Sequence, residues 1–440
     1  MKFSLIASVF IYICLHPNLS GWASKLPIQD DGLEYSDKSI ELDQHESTGS
    51  GKNPAFMVSL STSETVSYGR VHWTSVDINE NGLFDQSDNS LRISQSGMYF
   101  FSITATIESQ DTTSLMLDNT GNSIGLFKYG NSSATIDSTT RTGLFLLTNI
   151  NKPYILQRHS SSHLIGSENG KETSWLGFHY KTNNYLFASR DTSFSSTYSE
   201  VPLPNIIAMR GFSKSSNRFR VFEDGYYFVN FGSAVKNSKR SELRFDSTFS
   251  SSELYNQIRI TNNATTPVIQ SLSIIQRLFS GEHIYLKTYE GSQYSNSDHL
   301  TYLCSFKLNE SLPVFSIASS NEDCSQSSST VTFRQAPIID TGNSWHNSGT
   351  YRIAVTGTYY IAFNIPSDER NDKIEIYIDI NGHKRSRVFK SNNLVQNKFA
   401  GYASGGVLMK LSENDNLQLK FVGCIADDGN VGSLTIIFIP

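Results

Sequence analysis

A short glycine-aromatic phrase occurs three times in this chain of 440 residues, at nearly even spacing. It lies at Gly97–Phe101, Gly225–Val229 and Gly357–Ile361, and reads Gly-Met-Tyr-Phe-Phe, Gly-Tyr-Tyr-Phe-Val and Gly-Thr-Tyr-Tyr-Ile. A repeat of about 130 residues is the size of a whole domain, whereas the units of a solenoid have about 20–50 residues. The sequence therefore predicts three tandem domains. Any function is either built three times or made by the three domains together.

Apolar segments keep the same spacing as the glycine-aromatic phrase. The repeats open at Ala55–Val58, Tyr185–Ala188 and Val314–Ile317, and they close at Trp175–Phe178, Tyr302–Phe306 and Ser433–Phe438. A further shared segment precedes each close, at Leu144–Leu147, Ile274–Leu278 and Val407–Leu411. These landmarks predict domains at residues 54–181, 184–309 and 312–440.

The first 53 residues have a different character. Lys2 followed by the apolar stretch Phe3–Leu15, with small residues Gly21 and Ala23 beyond it, predicts a signal peptide over residues 1–23. The apolar stretch is too short to span a bilayer. Residues 24–53 are acidic and end in glycine and serine, which indicates a disordered leader. We therefore expect a secreted, extracellular protein that does not span a membrane.

Charge and composition narrow the possible functions and folds. The chain has 36 basic and 41 acidic side chains, a net charge of −5, and it lacks the basic stripe that nucleic-acid binding requires. Serine, threonine, asparagine, tyrosine and phenylalanine are abundant, which favours strands and turns over helices. The sequence predicts an all-β protein that does not bind nucleic acid.

Alternating patterns indicate many short strands. Ile374–Ile380 places four isoleucines on one face, and Asn381-Gly382, the strongest short signal for a hairpin turn, follows at once. The next strand is expected at Arg385–Phe389. Many such strands within about 130 residues predict a β-sandwich closed as a jelly roll.

The first repeat carries the motifs of a known family. Trp73 is followed by an Asn-Gly turn at Asn81-Gly82, an aromatic-Asp pair at Phe84-Asp85, and the phrase at Gly97–Phe101. This order resembles the C1q globular domain, and Ala403–Leu419 of the third repeat is similar to the end of that domain. The second repeat departs most, because it lacks the Asn-Gly turn and has Val201-Pro-Leu-Pro204 in part of an inner strand. The tumour-necrosis-factor fold is a close relative with the same jelly roll.

The resemblance implies a protein that binds rather than reacts. Members of the family self-associate as trimers with aromatic strands at the threefold axis, and they recognise glycans or protein ligands. The leading hypothesis is thus a secreted recognition protein, either an innate-immune lectin-like molecule or a receptor ligand. A third hypothesis, a receptor-binding cytokine of tumour-necrosis-factor type, would require receptor grooves between the heads. The alternative is a structural component of extracellular matrix or mucus. The aromatic positions expected in the structural core are Tyr99, Phe101, Tyr227 and Tyr359.

The short linkers suggest how the three domains are arranged. Four residues, at Lys181–Asn184 and at Asn309–Leu312, span at most roughly 14 Å. Because the first and last strands of such a domain pair antiparallel, successive domains are held base to base. We expect an intrachain pseudo-trimer, and the alternative is a string of independent domains.

One loop has the spacing of a calcium site. Asp77, Asn79, Asn81, Asp85 and Asp88 fit an EF-hand loop with Asp at its last position. Both flanks read as strands, however, and the same residues form the family's turn. Calcium is therefore a weak candidate, and no cofactor is expected.

Catalytic patterns were considered and disfavoured. His159 and His163 are four residues apart, but they lie in a Ser-rich segment and not on a helix. The sequence has neither a Gly-x-Ser-x-Gly elbow nor a phosphate-binding loop. We expect no enzymatic activity.

Three cysteines follow the signal peptide, so one pair with one left over, or no pair, are both open. Cys324 and Cys424 are the favoured pair, because they follow the first strand and precede the last strand of the third domain. Cys304 is expected to be a buried thiol. Asn131, Asn263 and Asn309 begin Asn-x-Ser/Thr sequons and are candidate glycosylation sites.

Overall fold

The computed structural model describes residues 53–66, 69–108, 112–119, 122–130, 136–147, 153–158, 162–168, 170–235, 239–249, 257–262, 268–295, 300–318, 320–321, 323–346, 349–367, 373–392, 402–426 and 432–440. The predicted signal peptide, almost all of the predicted leader, and the sequons at Asn131 and Asn263 lie outside these residues. Within them the chain forms strands and no helix, so the all-β prediction is confirmed.

Sandwich 1 is formed by the strands that precede the first linker. They are β1 (Ala55–Ser59), β2 (Glu64–Val66), β3 (Gly69–Arg70), β4 (Ser75–Glu80), β5 (Phe84–Asp85), β6 (Ser90–Arg92), β7 (Gly97–Glu108), β8 (Thr112–Asn119), β9 (Asn122–Gly130), β10 (Ile136–Leu147), β11 (Pro153–Arg158), β12 (Ser162–Leu164) and β13 (Ser174–His179).

Sandwich 2 lies between the two linkers. Its strands are β14 (Tyr185–Arg190), β15 (Phe194–Ser195), β16 (Ser199–Glu200), β17 (Asn205–Arg210), β18 (Phe212–Ser215), β19 (Arg218–Val221), β20 (Gly225–Val235), β21 (Lys239–Ser247), β22 (Gln257–Asn262), β23 (Val268–Leu278), β24 (His283–Gln293) and β25 (Thr301–Lys307).

Sandwich 3 follows the second linker. Its strands are β26 (Val314–Ala318), β27 (Asp323–Thr330), β28 (Ile339–Asp340), β29 (Trp345–His346), β30 (Thr350–Arg352), β31 (Gly357–Pro366), β32 (Lys373–Ile380), β33 (His383–Asn392), β34 (Tyr402–Leu411), β35 (Asn416–Ile425) and β36 (Ser433–Ile439).

The three sandwiches share one strand order. Their inner sheets run β4-β1-β13-β7-β10, β17-β14-β25-β20-β23 and β28-β26-β36-β31-β34. Their outer sheets contain the matching orders β6-β11-β8-β9, β19-β24-β21-β22 and β30-β35-β32-β33. In each sandwich the opening and closing strands pair antiparallel. The chain is therefore three tandem jelly-roll sandwiches, including the second, whose sequence departs most from the family pattern.

Local sequence explains the hairpin formed by β32 and β33. The four isoleucines of β32, at positions 374, 376, 378 and 380, are at most 1% exposed. Asn381 and Gly382 adopt φ of +56° and +81°, and Ile380 pairs with His383 across them. Positive φ at both positions is what a two-residue turn of this kind needs. The predicted turn is confirmed, and the strand after it is longer than expected, because β33 begins at His383.

The repeated tyrosine has one role in all three sandwiches. Tyr99, Tyr227 and Tyr359 are fully buried, and each hydroxyl donates a hydrogen bond to a backbone carbonyl four residues earlier, at 2.9, 2.8 and 2.5 Å. Burying a phenol without a partner is costly, so this bond lets the ring enter the core. Phe101 is also buried, at 1% exposure.

The repeated glycine leaves room for a side chain from the closing strand. A Cβ on Gly97 would lie 2.2 Å from Nε2 of His179, and a Cβ on Gly357 would lie 2.4 Å from Cε2 of Phe438. His179 and Phe438 pair with Tyr99 and Tyr359 across the sheet, so they occupy equivalent positions. The phrase thus begins with glycine because a side chain of the closing strand covers that position.

One expected strand is shorter in the structure. The alternation at Tyr68–Trp73 indicates a strand, but β3 ends at Arg70. Val71 and Trp73 are still buried while His72 is exposed, so the alternation of burial persists without strand pairing. Trp73 N–H instead donates to the Asn89 side chain at 2.9 Å.

The buried His179 predicts a loss of stability in acid. The ring is 4% exposed, and burial, with a smaller effect of Lys181, lowers the pKa of His179 to about 4 from 6.5. The unfolded chain therefore takes up this proton first. Stability is fully present above about pH 6.5 and falls by about 3 kcal/mol in total as pH drops to about 4.

Chemical denaturation between pH 7 and 4 tests this expectation with His179→Phe, since phenylalanine is the residue at the equivalent position of sandwich 3. The variant should lose this part of the pH dependence, whereas His346→Phe, at an exposed position, should keep it. An unchanged pH slope in His179→Phe would contradict the assignment.

Candidate binding site at the junction of the three sandwiches

Three aromatic rings from equivalent positions meet at one point. Phe100, Phe228 and Tyr360 are the fourth residues of the three glycine-aromatic phrases, and each is at most 1% exposed. Their ring centroids are 5.5 Å (Phe100–Phe228), 5.0 Å (Phe100–Tyr360) and 6.0 Å (Phe228–Tyr360) apart. The three sandwiches therefore meet around a common pseudo-threefold axis, and each contributes one ring to it.

The closing strands complete this aromatic layer. Phe178, Phe306 and Ile437 pair with Phe100, Phe228 and Tyr360 across the inner sheets, and all three are fully buried. Offset and edge-to-face contacts between rings of this kind add about 0.5–1.5 kcal/mol per pair to the effect of burial. The layer is the apolar centre of the contact between the sandwiches.

A ring of hydrogen bonds lies further along the same axis. Thr140, Ser271 and Ser404 pair with the residues seven positions after the three repeated glycines, so they are structurally equivalent. The Thr140 hydroxyl donates to the Ser404 carbonyl at 2.9 Å, Ser404 donates to the Ser271 carbonyl at 2.9 Å, and Ser271 donates to the Thr140 carbonyl at 2.8 Å.

The ring closes only if all three sandwiches are present in one register. All three side chains are buried, and each bond pairs a buried hydroxyl with a buried backbone carbonyl. A buried hydrogen bond contributes about 1 kcal/mol, and an unmatched buried group costs about 1–3 kcal/mol. The ring thus sets how the sandwiches are rotated against each other more than it adds to stability.

Further polar contacts surround the ring. Asn364 Nδ2 of sandwich 3 donates to the Ser273 carbonyl of sandwich 2 at 3.0 Å. Thr139 of sandwich 1 donates to the Ile269 carbonyl of sandwich 2 at 3.0 Å, and the Thr142 hydroxyl bonds the Asn230 side chain. Contacts of this type occur between each pair of sandwiches.

Sandwiches 1 and 3 are additionally joined through their strands. Ile136 of β10 pairs with Asn392 of β33, so the inner sheet of sandwich 1 continues into the outer sheet of sandwich 3. Arg387 forms ion pairs with Glu172 of sandwich 1 and, at 3.4 Å, with Glu375 of its own sandwich. Both carboxylates are nearly inaccessible, and Glu375 also pairs with Lys373 at 3.0 Å, so the guanidinium mainly balances Glu172 across the contact between the sandwiches.

The base of the junction is closed as well. The Asn53 N–H donates to the Pro440 carbonyl at 2.6 Å, which joins the start of sandwich 1 to the end of sandwich 3. Asn309 N–H of the second linker donates to the Tyr180 hydroxyl beside the first linker at 3.0 Å. The arrangement of the sandwiches is therefore a closed cycle.

A surface groove of about 530 Å³ lies between sandwiches 2 and 3. It is lined by Tyr226 of sandwich 2, Glu310 of the linker, and Ile338, Asp340 and Trp345 of sandwich 3. Glu310 accepts a hydrogen bond from Tyr226 N–H at 3.1 Å, and Asp340 accepts from Trp345 N–H at 2.9 Å. The groove is lined by both polar and apolar groups, including two oriented carboxylates, and sandwich 2 contributes Tyr226 to it. A second cavity, of about 400 Å³, lies within sandwich 3.

The three aspartates of the candidate calcium loop each form an ion pair with a lysine or arginine of the protein. Asp77 forms an ion pair with Lys171 and accepts from the Ser59 hydroxyl at 2.8 Å. Asp85 and Asp88 both bind Arg92. Hydrogen bonds from the Ser87 hydroxyl and backbone, with the contact to Arg92, lower the pKa of Asp85.

The two asparagines of the candidate loop are used in the turn. Asn79 donates to the Phe84 carbonyl at 2.8 Å and accepts from its N–H at 2.9 Å, and Asn81 takes φ of +56°. Among the residues that the structure describes, no group of three or more His, Cys, Asp or Glu side chains could hold a metal ion.

The cysteines differ in their surroundings. Cys324 and Cys424 form a disulfide directly across the pairing of β27 and β35. Both cysteines lie within paired strands, Cys324 after the opening strand β26 and Cys424 before the closing strand β36. Cys304 is a free thiol on β25, and burial raises its pKa well above the usual value.

Of the three sequon asparagines, only Asn309 belongs to the described part of the chain. It is exposed, and its side-chain oxygen accepts hydrogen bonds from Ser311 N–H at 3.1 Å and from the Ser311 hydroxyl at 2.8 Å. The position is accessible to a glycan.

Sequence reasoning missed the ring of hydroxyl groups. A signal was present, because Thr140, Ser271 and Ser404 each precede an aliphatic residue of the shared segment by four positions. These aliphatic residues are Leu144, Ile275 and Leu408, which pair with the three rings of the axis. Such a hydroxyl is common in strands, so its role is visible only when the three strands are brought together.

Family comparison matches the two sandwiches with the clearest motifs. The C1q domain family matches residues 55–179 and 314–434, which together make up more than half of the chain. The chain belongs to the C1q family. The family is typically extracellular and non-enzymatic, and its C1q-like and tumour-necrosis-factor-like domains bind ligands and self-associate. In the described residues, no helix has the length and apolar character needed to cross a membrane.

Solved structures with detectable similarity cover about one sandwich each. The crystal structure of murine APRIL at pH 5.0 is 17% identical, covers 28% of this chain and 98% of its own, and has a TM-score of 0.25. The globular domain of zebrafish complement 1qA protein is also 17% identical, covers 29% of this chain and 98% of its own, and has a TM-score of 0.23. No curated protein sequence matches the chain.

Because the aromatic rings of the three sandwiches contact one another, we expect that removing one ring weakens the contact among all three sandwiches. Phe100→Ala removes a ring that contacts both other sandwiches, so we expect a loss of about 3–5 kcal/mol in the free energy of unfolding. Chemical denaturation measures the loss, and the radius of gyration in the native buffer should increase as the sandwiches separate. Phe249→Ala is the matched control, because Phe249 is 62% exposed. Equal stability of the two variants would show that the axis contributes little.

Proposed function

We propose that this C1q-family chain is a secreted recognition protein without catalytic activity that acts as a single-chain pseudo-trimer. Its ligand is a glycan or a protein, bound at surfaces to which more than one sandwich contributes. The observation that carries the proposal is the closed ring of Thr140, Ser271 and Ser404, since each sandwich supplies one donor and one acceptor to it.

Joining the sandwiches in one polypeptide changes how trimer assembly depends on protein concentration. Three separate chains form a trimer only above a certain concentration, whereas tethered domains associate at the high effective concentration set by a short linker. A linked trimer also allows its three parts to differ. The groove lined by Tyr226 and Trp345 takes residues from two unlike sandwiches, which an interface between identical chains could not do.

The matrix or mucus alternative has less support. A protein that polymerises through its heads needs free axis surfaces, and here the aromatic layer of Phe100, Phe228 and Tyr360 is used inside the chain. Any polymer would have to form through the outer faces. Recognition by the outer faces and grooves is the simpler use of this architecture.

Processing in the secretory pathway is part of the proposal. The signal peptide, residues 1–23, would be removed after Ala23. The leader, residues 24–53, would then precede three sandwiches at residues 54–181, 184–309 and 312–440. Glycans would be attached to Asn131, Asn263 and Asn309. N-terminal sequencing of the secreted protein and its mass before and after endoglycosidase treatment test these assignments. Secretion without cleavage would contradict the signal peptide.

The central test is the state and binding of the mature protein in solution. Light scattering should give the mass of one chain at all concentrations, and small-angle X-ray scattering should give a compact particle. A variant with protease sites inserted at both linkers, Lys181–Asn184 and Asn309–Leu312, should bind immobilised glycans or cell surfaces less strongly once it is cut and diluted. A concentration-dependent mass or an extended particle would contradict the pseudo-trimer.

A further inference from the structure

Equivalent positions of the three sandwiches carry different side chains at the base of the junction. These positions are the residue after each repeated glycine and the partner of that residue across the inner sheet. The pairs are Met98–Leu146, Tyr226–Arg277 and Thr358–Lys410. Comparing them shows how the contact of each sandwich with its neighbour has changed.

An ion pair closes the contact between sandwiches 3 and 1 at these positions. Lys410 Nζ lies 2.8 Å from an oxygen of Glu80 in sandwich 1, and the Thr358 hydroxyl lies 3.5 Å from the same oxygen. The Glu80 side chain is only 13% exposed, because the two side chains of sandwich 3 cover it. The charge on sandwich 3 thus has its partner in the neighbouring sandwich.

The contact between sandwiches 2 and 3 lacks this ion pair. Thr341 takes the place of Glu80, since it bonds the first residue of β26 as Glu80 pairs with the first residue of β1. Among the described residues, Arg277 has no carboxylate partner, and its guanidinium lies 5.8 Å from the Tyr226 centroid and 5.3 Å from that of Phe279. The groove of about 530 Å³ lies at this open contact, where Tyr226 and Thr341 both line it.

Aromatic side chains of both sandwiches form part of the groove wall. Tyr226 of sandwich 2 and Trp345 of sandwich 3 line it, and both are half-buried. The Trp345 ring is supported by Phe315 and Phe333, whose centroids are 5.3 and 6.0 Å away. Supported rings of this kind can receive the cationic group or the aliphatic part of a ligand's side chain.

Two carboxylates that line the groove have no cation as partner. Glu310 accepts a hydrogen bond from Tyr226 N–H at 3.1 Å, and Asp340 accepts from Ser344 N–H and Trp345 N–H at 2.8 and 2.9 Å. Within the part of the chain that the structure describes, neither carboxylate forms an ion pair. A carboxylate has about four acceptor positions, so both keep the capacity to bind a donor of a ligand.

The charges at the groove and beside Tyr226 are negative on balance. The carboxylates are Glu223, Asp224, Glu310 and Asp340, and the cations are Arg277 and Lys307. Lys307 is bound to Glu223 at 2.9 Å. A positively charged ligand group is therefore favoured over a neutral or negative one.

Other basic residues close to these elements in the chain do not line the groove. Lys181 of the first linker lies beside His179 of sandwich 1, where it contributes to the lowered pKa of that histidine. Arg334 and Arg352 of sandwich 3 each bind an asparagine side chain. They leave the negative balance at the groove unchanged.

The rim of the groove suits a protein more than a glycan. Ile338 lines the groove and is 38% exposed, and Phe279, beside Arg277, is 40% exposed. Tyrosine and tryptophan with apolar neighbours are typical of the centres of protein interfaces. A neutral glycan would leave the two carboxylates without a cation, and an acidic glycan would be repelled by them.

We propose that the groove between sandwiches 2 and 3 binds an arginine or lysine side chain of a protein ligand. The charge of this side chain lies against Glu310 and Asp340, and its aliphatic part lies against Tyr226 and Trp345. The inference rests on the proposed function, because it selects a protein as the ligand and names a site to which two sandwiches contribute.

The test measures binding of the mature protein to immobilised short peptides that carry arginine, lysine, glutamine or glutamate between leucine and tyrosine residues. Peptides with arginine or lysine should bind at least about tenfold more tightly than the others. The double variant Glu310→Gln/Asp340→Asn should lose this preference, because it keeps acceptor oxygens and removes both charges. The double variant Glu168→Gln/Asp191→Asn is the matched control, since it changes the net charge equally at exposed positions, and it should bind as the wild type does.

A second variant tests the aromatic wall without changing a charge. Tyr226→Thr introduces the residue that sandwich 3 has at the equivalent position, so the variant should fold, and its binding to the arginine peptide should be at least about tenfold weaker. Thermal unfolding checks that every variant is folded in the binding assay. Binding is measured before and after endoglycosidase treatment, because a glycan on Asn309 would stand next to Glu310, and binding in either state supports the proposal.

The outcomes separate this inference from the proposed function. Equal binding of arginine and glutamate peptides, or undiminished binding by the two folded groove variants, would overturn the site. If the wild type binds no peptide, or binds only glycans, the inference is wrong. In that case a loss of cell-surface or glycan binding after both linkers are cut would still support the proposed function, and unchanged binding after cutting would contradict both.

Discussion

The structure depends on contacts that no single sandwich can satisfy alone. Phe100, Phe228 and Tyr360 bury one another's faces, and beyond them Thr140, Ser271 and Ser404 pass hydrogen bonds around the axis. An isolated sandwich would expose its ring and leave its hydroxyl and carbonyl to water. Burial of apolar surface drives the contact, and the directional bonds choose one register within it. The axis therefore couples three unlike domains.

Covalent linkage lets the three parts diverge while the axis is kept. A homotrimer must repeat every change three times, whereas here a change in one sandwich appears once. Sandwich 2 illustrates this freedom. It keeps the buried Tyr227 and the strand order of its neighbours, yet it carries a tyrosine and arginine row on its outer sheet. Sandwiches 1 and 3 are instead joined by β10 and β33. The pseudo-threefold symmetry is thus kept in the positions of the axis residues and broken at the periphery.

Alternation of apolar residues and turn residues predicted strands and turns well, because these elements depend mainly on residues that are close together in the chain. The isoleucines of β32 alternate and face inward, and Asn381-Gly382 forms the turn that its residues favour. The repeated glycine and tyrosine identified the central strand of each sandwich. Side-chain burial alternates at Val71–Trp73 although strand β3 ends at Arg70, so alternation alone does not fix where a strand ends.

The sequence by itself determined the number of domains, their strands and their family, since these follow from repeat length, alternation and turn chemistry within a few residues. The tertiary structure alone showed which residues of the three domains contact one another. The partners in the hydroxyl ring are more than 130 residues apart in the chain. Contacts over such separations depend on packing three sheets around an axis, and no local pattern in the chain encodes them.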